Sequence, residues 1–233
     1  MGSPRLGIVT GLASEAVIAT ALIGEEDFPA RVLCAGASSQ RASVQARQLV
    51  DLGVEALLSF GLAGALDPAL TSGDLVVALQ VRNDGGELHP CDAGWQEALH
   101  AALVETQTPC RRGGILGSAR LWRRPADKRS LFAATDCLAV DMESGAVAAV
   151  AAEAGLPFLA VRAIADRADD ALPALVEHAV KPDGMPAVGR TLAAMLKSPT
   201  QIPSTLRLAR RSNLALASLR RLDVVRDELL GGF

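Results

Sequence analysis

Six short runs of apolar residues, separated by stretches of helical length, constrain the fold of this chain more than any other feature. The runs are LGIVT, RVLCA, ALLSF, DLVVALQV, LAV and PFLAVRAIA, and the helical stretches are residues 14–23, 40–52, 94–105, 124–134, 142–154 and 185–197. Strands that are apolar at nearly every position are typical of parallel sheets covered on both faces. We therefore predict an α/β fold in which a mostly parallel sheet lies between two layers of helices.

The chain divides near Pro199, where the proline-punctuated segment SPTQIPS interrupts the alternating pattern. We predict a main domain over residues 1–198 and a basic amphipathic helical tail over 199–233, with a helix at roughly 205–222. The chain has a net charge of −3, and from Lys197 onward seven Lys/Arg face three Asp/Glu, which puts +4 on residues 197–233 and −7 on residues 1–196. Such a helix can lie on an anionic membrane surface or pack against the body or another subunit, and both interpretations stay open.

Composition narrows the classes of function. The near-balanced charge gives no reason to expect a nucleic-acid partner, and the four cysteines are scattered, without metal-ligand or disulfide spacing. The N-terminus lacks the apolar segment of a signal peptide, and no run of eighteen apolar residues occurs. We expect a cytoplasmic protein without a metal site, at most peripheral to a membrane.

Charged residues stand where the buried strand PFLAVRAIA ends. Arg162 and Asp166 lie at that end, and Glu143 precedes an alanine-rich helix. Charges are rarely buried unless they are paired or functional, and open α/β sheets bind ligands at the carboxyl ends of their strands. The pattern therefore predicts a site at this edge, whereas Asp169 and Asp170 are expected to be the solvated start of the next loop.

Two glycine-containing segments point to the same edge. Gly11 follows the first strand, with Glu15 entering the next helix, and Gly61 and Gly64 follow the strand ALLSF. Glycine permits a sharp turn or a close approach of the backbone to a ligand, although a tight turn alone would also explain the pair. In a parallel sheet, all of these elements would lie on one rim.

The order of the three segments resembles the superfamily of nucleoside phosphorylases and methylthioadenosine/S-adenosylhomocysteine nucleosidases. The resemblance rests on GIVTG with the following glutamate, GLAGALDPALTSGDLVV and VDMESGAVAAVAAEAGLPFLAVRAIADRAD, and it extends over most of residues 6–197. TGLASEA, SFGLAGALDPAL, HAVKPDG and the tail QIPSTLRLARRSNLALASLRR are more narrowly similar to hopanoid-associated phosphorylases, which are thought to remove adenine from adenosylhopane. The resemblance to the superfamily implies a nucleoside phosphorylase-like fold with a mostly parallel mixed sheet, a homo-oligomer, and no metal or organic cofactor.

The resemblance also implies roles for individual residues. Asp166 matches the acid that protonates or hydrogen-bonds N7 of the purine, and Glu15 matches the glutamate that activates water in the nucleosidases. Glu143 matches the carboxylate that binds the ribose hydroxyls. The other implied substrate contacts are Met142 on the sugar, Arg162 beside the acid, Ala63 and Gly64 along the pocket, and Leu121 and Trp122 beside the base.

Two departures from the family pattern bear on the nucleophile. Leu62 replaces a hydroxyl residue that helps to bind phosphate, and Glu15 stands where the hexameric phosphorylases have an arginine. Either Ser38, Ser39 and Arg41 bind phosphate as a co-substrate, or the enzyme uses water. Leu62 also suits a bulky apolar 5′ substituent. The first hypothesis is therefore an enzyme that releases adenine from adenosylhopane with phosphate or water as nucleophile. The alternatives to it are a methylthioadenosine/S-adenosylhomocysteine nucleosidase and a nucleoside-binding protein without catalysis.

Overall fold

The computed structural model describes residues 5–24, 30–174, 180–185, 187 and 202–233, and it confirms the predicted α/β fold with a central mixed sheet. The strands are β1 Leu6–Thr10, β2 Ala30–Cys34, β3 Ala56–Ala65, β4 Leu75–Asn83, β5 Leu88–Pro90, β6 Cys110–Gly117, β7 Cys137–Asp141 and β8 Phe158–Asp166. The helices within the described residues are α1 Ala13–Ile23, α2 Ser39–Asp51, α3 Ala93–Glu105, α4 Pro125–Thr135, α5 Ser144–Ala154, α6 Ile202–Arg221 and α7 Arg226–Gly231, with a 3₁₀ turn at Leu222–Val225.

The sheet runs in the order β2-β1-β3-β7-β6-β4-β5, and β8 pairs with both β3 and β4. The strands β3, β8, β4, β6 and β7 therefore close into a ring of hydrogen-bonded neighbours. The pairs β1/β2, β1/β3, β3/β8, β4/β6 and β6/β7 are parallel, whereas β3/β7, β4/β5 and β4/β8 are antiparallel. Because β1, β3 and β8 are parallel neighbours, their carboxyl ends lie along one edge.

Local sequence explains where several elements begin and end. Asp92 precedes α3 and its carboxylate accepts a hydrogen bond from the Trp95 amide at 2.8 Å, which satisfies one of the free donors of the first turn. Pro125 opens α4, where its missing N–H costs nothing. Gly155 ends α5 in the left-handed conformation, with φ of 65°. Every residue of β1 and β8 is buried, as expected for strands covered on both faces.

The structure corrects several boundaries. The glycines Gly61 and Gly64 do not form a turn after a short strand, because β3 continues through them to Ala65 with an irregular register at Ala63/Gly64. The helix expected over 142–154 begins at Ser144, and the short edge strand β5 was not predicted. The helix expected over 185–197 lies mostly outside the described residues.

The C-terminal segment packs on the body of the protein. Helix α6 contacts β8 and α1, and its residues Ala215, Ser218 and Leu219 are buried. Further along, the Trp95 indole donates to the carbonyls of Glu228 and Leu229 at 3.0 and 3.1 Å. The predicted boundary at 198/199 falls outside the described residues and stays a prediction. None of the helices in the described part of the chain is long and apolar enough to cross a membrane.

Candidate active site

A cavity of about 740 Å³ opens at the carboxyl ends of β1, β3 and β8. Most of the side chains predicted from the sequence line it together: Glu15, Arg41, Leu62, Ala63, Gly64, Leu121, Trp122, Met142, Glu143 and Asp166. Ser38, Ser39 and Arg162 are not among the residues that line it. Three carboxylates from distant parts of the chain, Glu15, Glu143 and Asp166, thus face one space, and each of them is less than a tenth exposed.

Glu15 is held by backbone amides. Its Oε2 accepts hydrogen bonds from the amides of Gly11 and Leu12, both at 2.8 Å, and its Oε1 accepts one from the amide of Leu62 at 2.9 Å. Burial raises the pKa of Glu15, and these amides together with the nearby Arg162 guanidinium counteract the rise. The result is a fixed carboxyl group that can exchange a proton with a ligand in the cavity.

Glu143 stands directly before α5, and its Oε1 is buried without a hydrogen-bond partner among the described residues. An unpaired buried oxygen is costly unless a ligand completes its hydrogen bonds. Burial and the neighbouring carboxylates of Asp141 and Glu15 raise the pKa of Glu143 to about 8, while Arg162 lowers it. This oxygen is suited to accept hydrogen bonds from hydroxyl groups.

Arg162 lies beneath the cavity and binds protein groups. Its Nε forms an ion pair with Asp141, and its Nη2 donates to the hydroxyls of Ser59 and Ser144 at 2.6 and 2.8 Å. Asp141 Oδ1 accepts from the amides of Glu143 and Ser144 at 3.2 and 3.0 Å. Arg162 therefore fixes the start of α5 and compensates the charge of the carboxylates above it, and a direct contact with substrate stays a prediction.

Asp166 ends β8 and has a partner that the sequence analysis missed. The Nζ of Lys128, from α4, forms a buried ion pair with Asp166 Oδ2 and also donates to the carbonyl of Arg167 at 2.8 Å. Burial raises the pKa of Asp166, and Lys128 partly offsets the rise. Lys128 escapes sequence reasoning because it lies between Asp127 and Arg129, in a segment typical of a solvated helix.

Asp170 was expected to be solvated together with Asp169, and for Asp170 this is wrong. Its carboxylate pairs with Arg211 of α6 and accepts the Arg167 amide at 2.9 Å, with only 22% of the side chain exposed. Asp169 pairs with Arg167 and is 67% exposed. The loop after β8 is thus tied to the C-terminal helix.

The glycines of the predicted motifs make room for the carboxylates. A Cβ atom added to Gly61 would lie 2.6 Å from Glu15 Oε2, and one added to Gly11 would lie 2.7 Å from Glu143 Oε1. At Gly64 it would lie 3.0 Å from Asp166 Oδ2. Real Cβ atoms do not approach oxygen at the two shorter distances, so a side chain at Gly61 or Gly11 would force the carboxyl group of Glu15 or Glu143 to move.

Aromatic and basic groups form another wall of the cavity. The Trp122 indole donates to the Ser118 hydroxyl at 3.0 Å, and the guanidinium of Arg120 lies 4.3 Å from the centroid of the Trp122 ring. Because Arg120 covers one face of this ring, a planar heterocycle would have to stack on the opposite face.

Arg41 reaches the cavity, but its guanidinium is engaged by the backbone. Its Nε donates to the carbonyl of Ala35 at 2.6 Å, and its Nη2 donates to that of Gly36. Ser38 caps α2 by accepting the Arg41 amide at 3.4 Å, and Ser39 is the first residue of that helix. Of the three residues predicted to bind phosphate, the structure brings only Arg41 to the cavity.

Comparison with known proteins identifies the family. Residues 6–198 match the family model described as the phosphorylase superfamily, and the chain belongs to that superfamily. A curated relative, the DeoD-type purine nucleoside phosphorylase of Streptococcus pyogenes, is 27% identical over 150 residues, which are 60% of this chain. The match spans 63% of that relative's length.

Solved structures share the fold at low sequence identity. The methylthioadenosine/S-adenosylhomocysteine nucleosidase of Neisseria meningitidis, in complex with methylthio-immucillin-A, superposes with a TM-score of 0.74 at 14% identity, over 95% of this chain and 98% of that one. The futalosine hydrolase of Helicobacter pylori gives 0.71 at 16% identity, over 96% and 97%. The H. pylori methylthioadenosine/S-adenosylhomocysteine nucleosidase with butyl-thio-DADMe-immucillin-A also gives 0.71, at 16% identity over 95% and 98%.

Proposed function

We propose that this protein cleaves the N-glycosidic bond of an adenosine-type nucleoside and releases adenine. The observation that carries the proposal is the convergence of Glu15, Glu143 and Asp166 on one cavity in a chain of the phosphorylase superfamily. Breaking this bond builds positive charge on the ribose and negative charge on the leaving base. A carboxyl oxygen that accepts hydrogen bonds from the ribose hydroxyls stabilises the first charge, and an acid at the purine neutralises the second.

Each carboxyl group has a step in this reaction. Asp166 gives its proton to N7 of the purine while the electron pair of the C1′–N9 bond moves to the base. Glu143 accepts hydrogen bonds from the ribose hydroxyls through its unpaired Oε1. Glu15 removes a proton from the nucleophile as it attacks C1′. The chemistry requires no metal or organic cofactor.

The nucleophile is water or phosphate, and the surroundings of Glu15 favour water. The amides of Gly11, Leu12 and Leu62 would suit an anion, but all three donate to the Glu15 carboxylate. A phosphate next to that carboxylate would also meet like charge. Arg41 supports the phosphate alternative, because it lines the same cavity.

For the 5′ substituent we propose an apolar group, with adenosylhopane of hopanoid biosynthesis as the substrate. The apolar side chains of Leu12, Leu62 and Leu208 line the cavity and are only half-buried. The alternative is hydrolysis of methylthioadenosine and S-adenosylhomocysteine, which the fold of the solved neighbours favours.

Measuring adenine release from adenosylhopane and from methylthioadenosine, each with and without phosphate, tests both the proposed substrate and the proposed nucleophile. We expect release in wild type and a fall in kcat of about 10²–10⁴-fold for Asp166→Asn. Asp169→Asn, three residues further along and exposed, is the matched control and should retain activity. Tight binding of the nucleosides without release under any condition would instead support a binding protein.

We also propose a cytoplasmic homo-oligomer that touches the membrane through α6. The membrane contact is proposed from the exposed apolar residues Ile202 and Leu206 beside the exposed Arg207 and Arg210, and the homo-oligomer from the family resemblance alone. The double variant Ile202→Ser/Leu206→Ser should sediment less with anionic liposomes than wild type, while Val44→Ser, exposed on α2, should not differ. Equal sedimentation of all three proteins would refute membrane contact, and a monomeric mass by light scattering would refute the oligomer.

A further inference from the structure

Lys128 is a buried cation with one charged partner inside the site. Its side chain is 1% exposed, although its neighbours Arg129 and Ser130 on α4 are exposed. Its Nζ contacts Asp166 Oδ2, the carbonyl of Arg167 at 2.8 Å and that of Asp170 at 3.5 Å. A buried ammonium is expensive unless its hydrogen bonds are satisfied, and these three acceptors satisfy the three donors of Lys128.

The contact leaves the carboxyl group of Asp166 with two unequal oxygens. Among the described residues, Lys128 is the one hydrogen-bond donor to Asp166, and it takes Oδ2. Gly64 lies on another side of the Asp166 carboxyl group and, having no side chain, leaves room for it. Oδ1 is therefore the oxygen left for a ligand.

We propose that Lys128 is a positioning residue for adenine release, which fixes Asp166 through Oδ2 so that the opposite oxygen faces the departing base. The inference rests on the proposed function. As the O–H bond of Asp166 breaks and the N7–H bond forms, negative charge develops on a carboxyl group beside an ammonium ion. Lys128 attracts the developing carboxylate of the transition state more strongly than the neutral acid of the ground state. It therefore stabilises the transition state more than the ground state.

Three charged groups face Asp166 from the elements packed on it. They are Lys128 of α4, Asp170 of the loop after β8 and Arg211 of α6. Lys128 is the one in direct contact. Without its charge, Asp166 keeps its proton to higher pH, because burial raises the pKa of Asp166 and Lys128 offsets that effect.

The test compares Lys128→Met, which removes both charge and donor, with Lys128→Gln, which keeps a donor without charge. Arg129→Met on the exposed side of α4 is the matched control, and thermal melts identify folded variants. For both Lys128 variants we expect the alkaline limb of the kcat/KM profile to move to higher pH, with kcat at neutral pH reduced by about 10-fold or more. Lys128→Gln should retain more activity than Lys128→Met, because it still orients Oδ2.

Adenine binding, measured by calorimetry as a function of pH, gives a readout that does not depend on turnover. Binding to wild type should weaken as Asp166 loses its proton, at a midpoint that moves upward in both Lys128 variants and disappears in Asp166→Asn. If wild type releases adenine but neither profile moves, Lys128 is merely structural and the inference is overturned while the proposed function stands. If wild type releases no adenine but the binding midpoint moves, the proposed function fails and the control of Asp166 by Lys128 is upheld. Absence of both release and binding would overturn both.

Discussion

At the residue scale, Gly11, Gly61 and Gly64 couple the glycine motifs of this site to its three acids. Each glycine faces one carboxyl group at a distance that excludes a methyl group or compresses it. A glycine motif read from sequence suggests a backbone that approaches a ligand, and here it also makes room for Glu143, Glu15 and Asp166. The glycines and the acids of the three segments therefore depend on each other.

Gly61→Ala tests this dependence. Its new methyl group would lie 2.6 Å from Glu15 Oε2, so the Glu15 carboxyl group must shift relative to the backbone amides that hold it. On the proposed role of Glu15 in activating the nucleophile, adenine release should fall by at least about 10²-fold, because the carboxyl group would be displaced from the nucleophile. Gly94→Ala in the first turn of α3, where the nearest atom is 3.5 Å away, is the control and should leave activity unchanged. A wild-type rate of adenine release in Gly61→Ala would show that the reaction does not depend on the position of the Glu15 carboxyl group.

Glu143 predicts how stability depends on pH. Its pKa is about 8 in the folded protein and close to 4.5 in the unfolded chain. Between these values the folded state holds the extra proton, so the free energy of unfolding decreases as pH rises through this window. Glu143→Gln has no proton to lose, so its free energy of unfolding should exceed that of wild type at pH 8 by on the order of a few kcal/mol. This difference in the free energy of unfolding should vanish near pH 4.5. Urea unfolding at both pH values measures it, and an equal difference at both would contradict the assignment.

At the scale of elements, the strands that carry the site follow from sequence and the connections between them do not. The strands ending at Thr10 and Asp166 are recognisable because they are apolar at nearly every position, and their parallel pairing to β3 brings Glu15 and Asp166 to one edge. The continuation of β3 through its glycines is not predictable from propensity, because glycine is a poor strand former and the tertiary pairing with β8 overrides that preference. Lys128 and the Asp141–Arg162 pair are side-chain contacts across distant segments, which local patterns do not encode.

The network below α5 should be the strongest stability determinant among the charged contacts of the site. Arg162→Met leaves Asp141 buried without its cation, and such losses cost about 3–5 kcal/mol. Arg47→Met is the matched control, since Arg47 pairs with Glu153 at the surface with both side chains 57% exposed, and its loss should cost about 0–1 kcal/mol. Chemical unfolding of the two variants measures the contrast. Similar small losses in both would mean that Asp141 is stabilised by its serine and amide contacts alone.

At the scale of the whole molecule, the family match ends at residue 198 and the chain continues into structure that completes the core. The sequence leaves open whether the tail meets the membrane, the body or another subunit, because the alternation of leucine and arginine suits all three. Its final part settles on the body. The buried residues of this part are Leu222, Val225, Leu229 and Leu230. The ring of Phe233 lies 5.1 Å from that of Trp95.

Removal of residues 222–233 should therefore unfold the protein rather than release a passive tail. The four buried side chains contribute together on the order of 6–12 kcal/mol, which is comparable with the total stability of about 5–15 kcal/mol of a typical domain. Trp95 would also lose the two carbonyls that accept its indole N–H. We expect no cooperative thermal transition by circular dichroism in the truncated protein, whereas Val224→Ser, at a position 63% exposed within the same segment, should melt like wild type. A truncated protein that melts cooperatively within a few degrees of wild type would show that the last turn and helix are accessory, and loss of activity in it would then point to α6 and its Arg211–Asp170 contact instead.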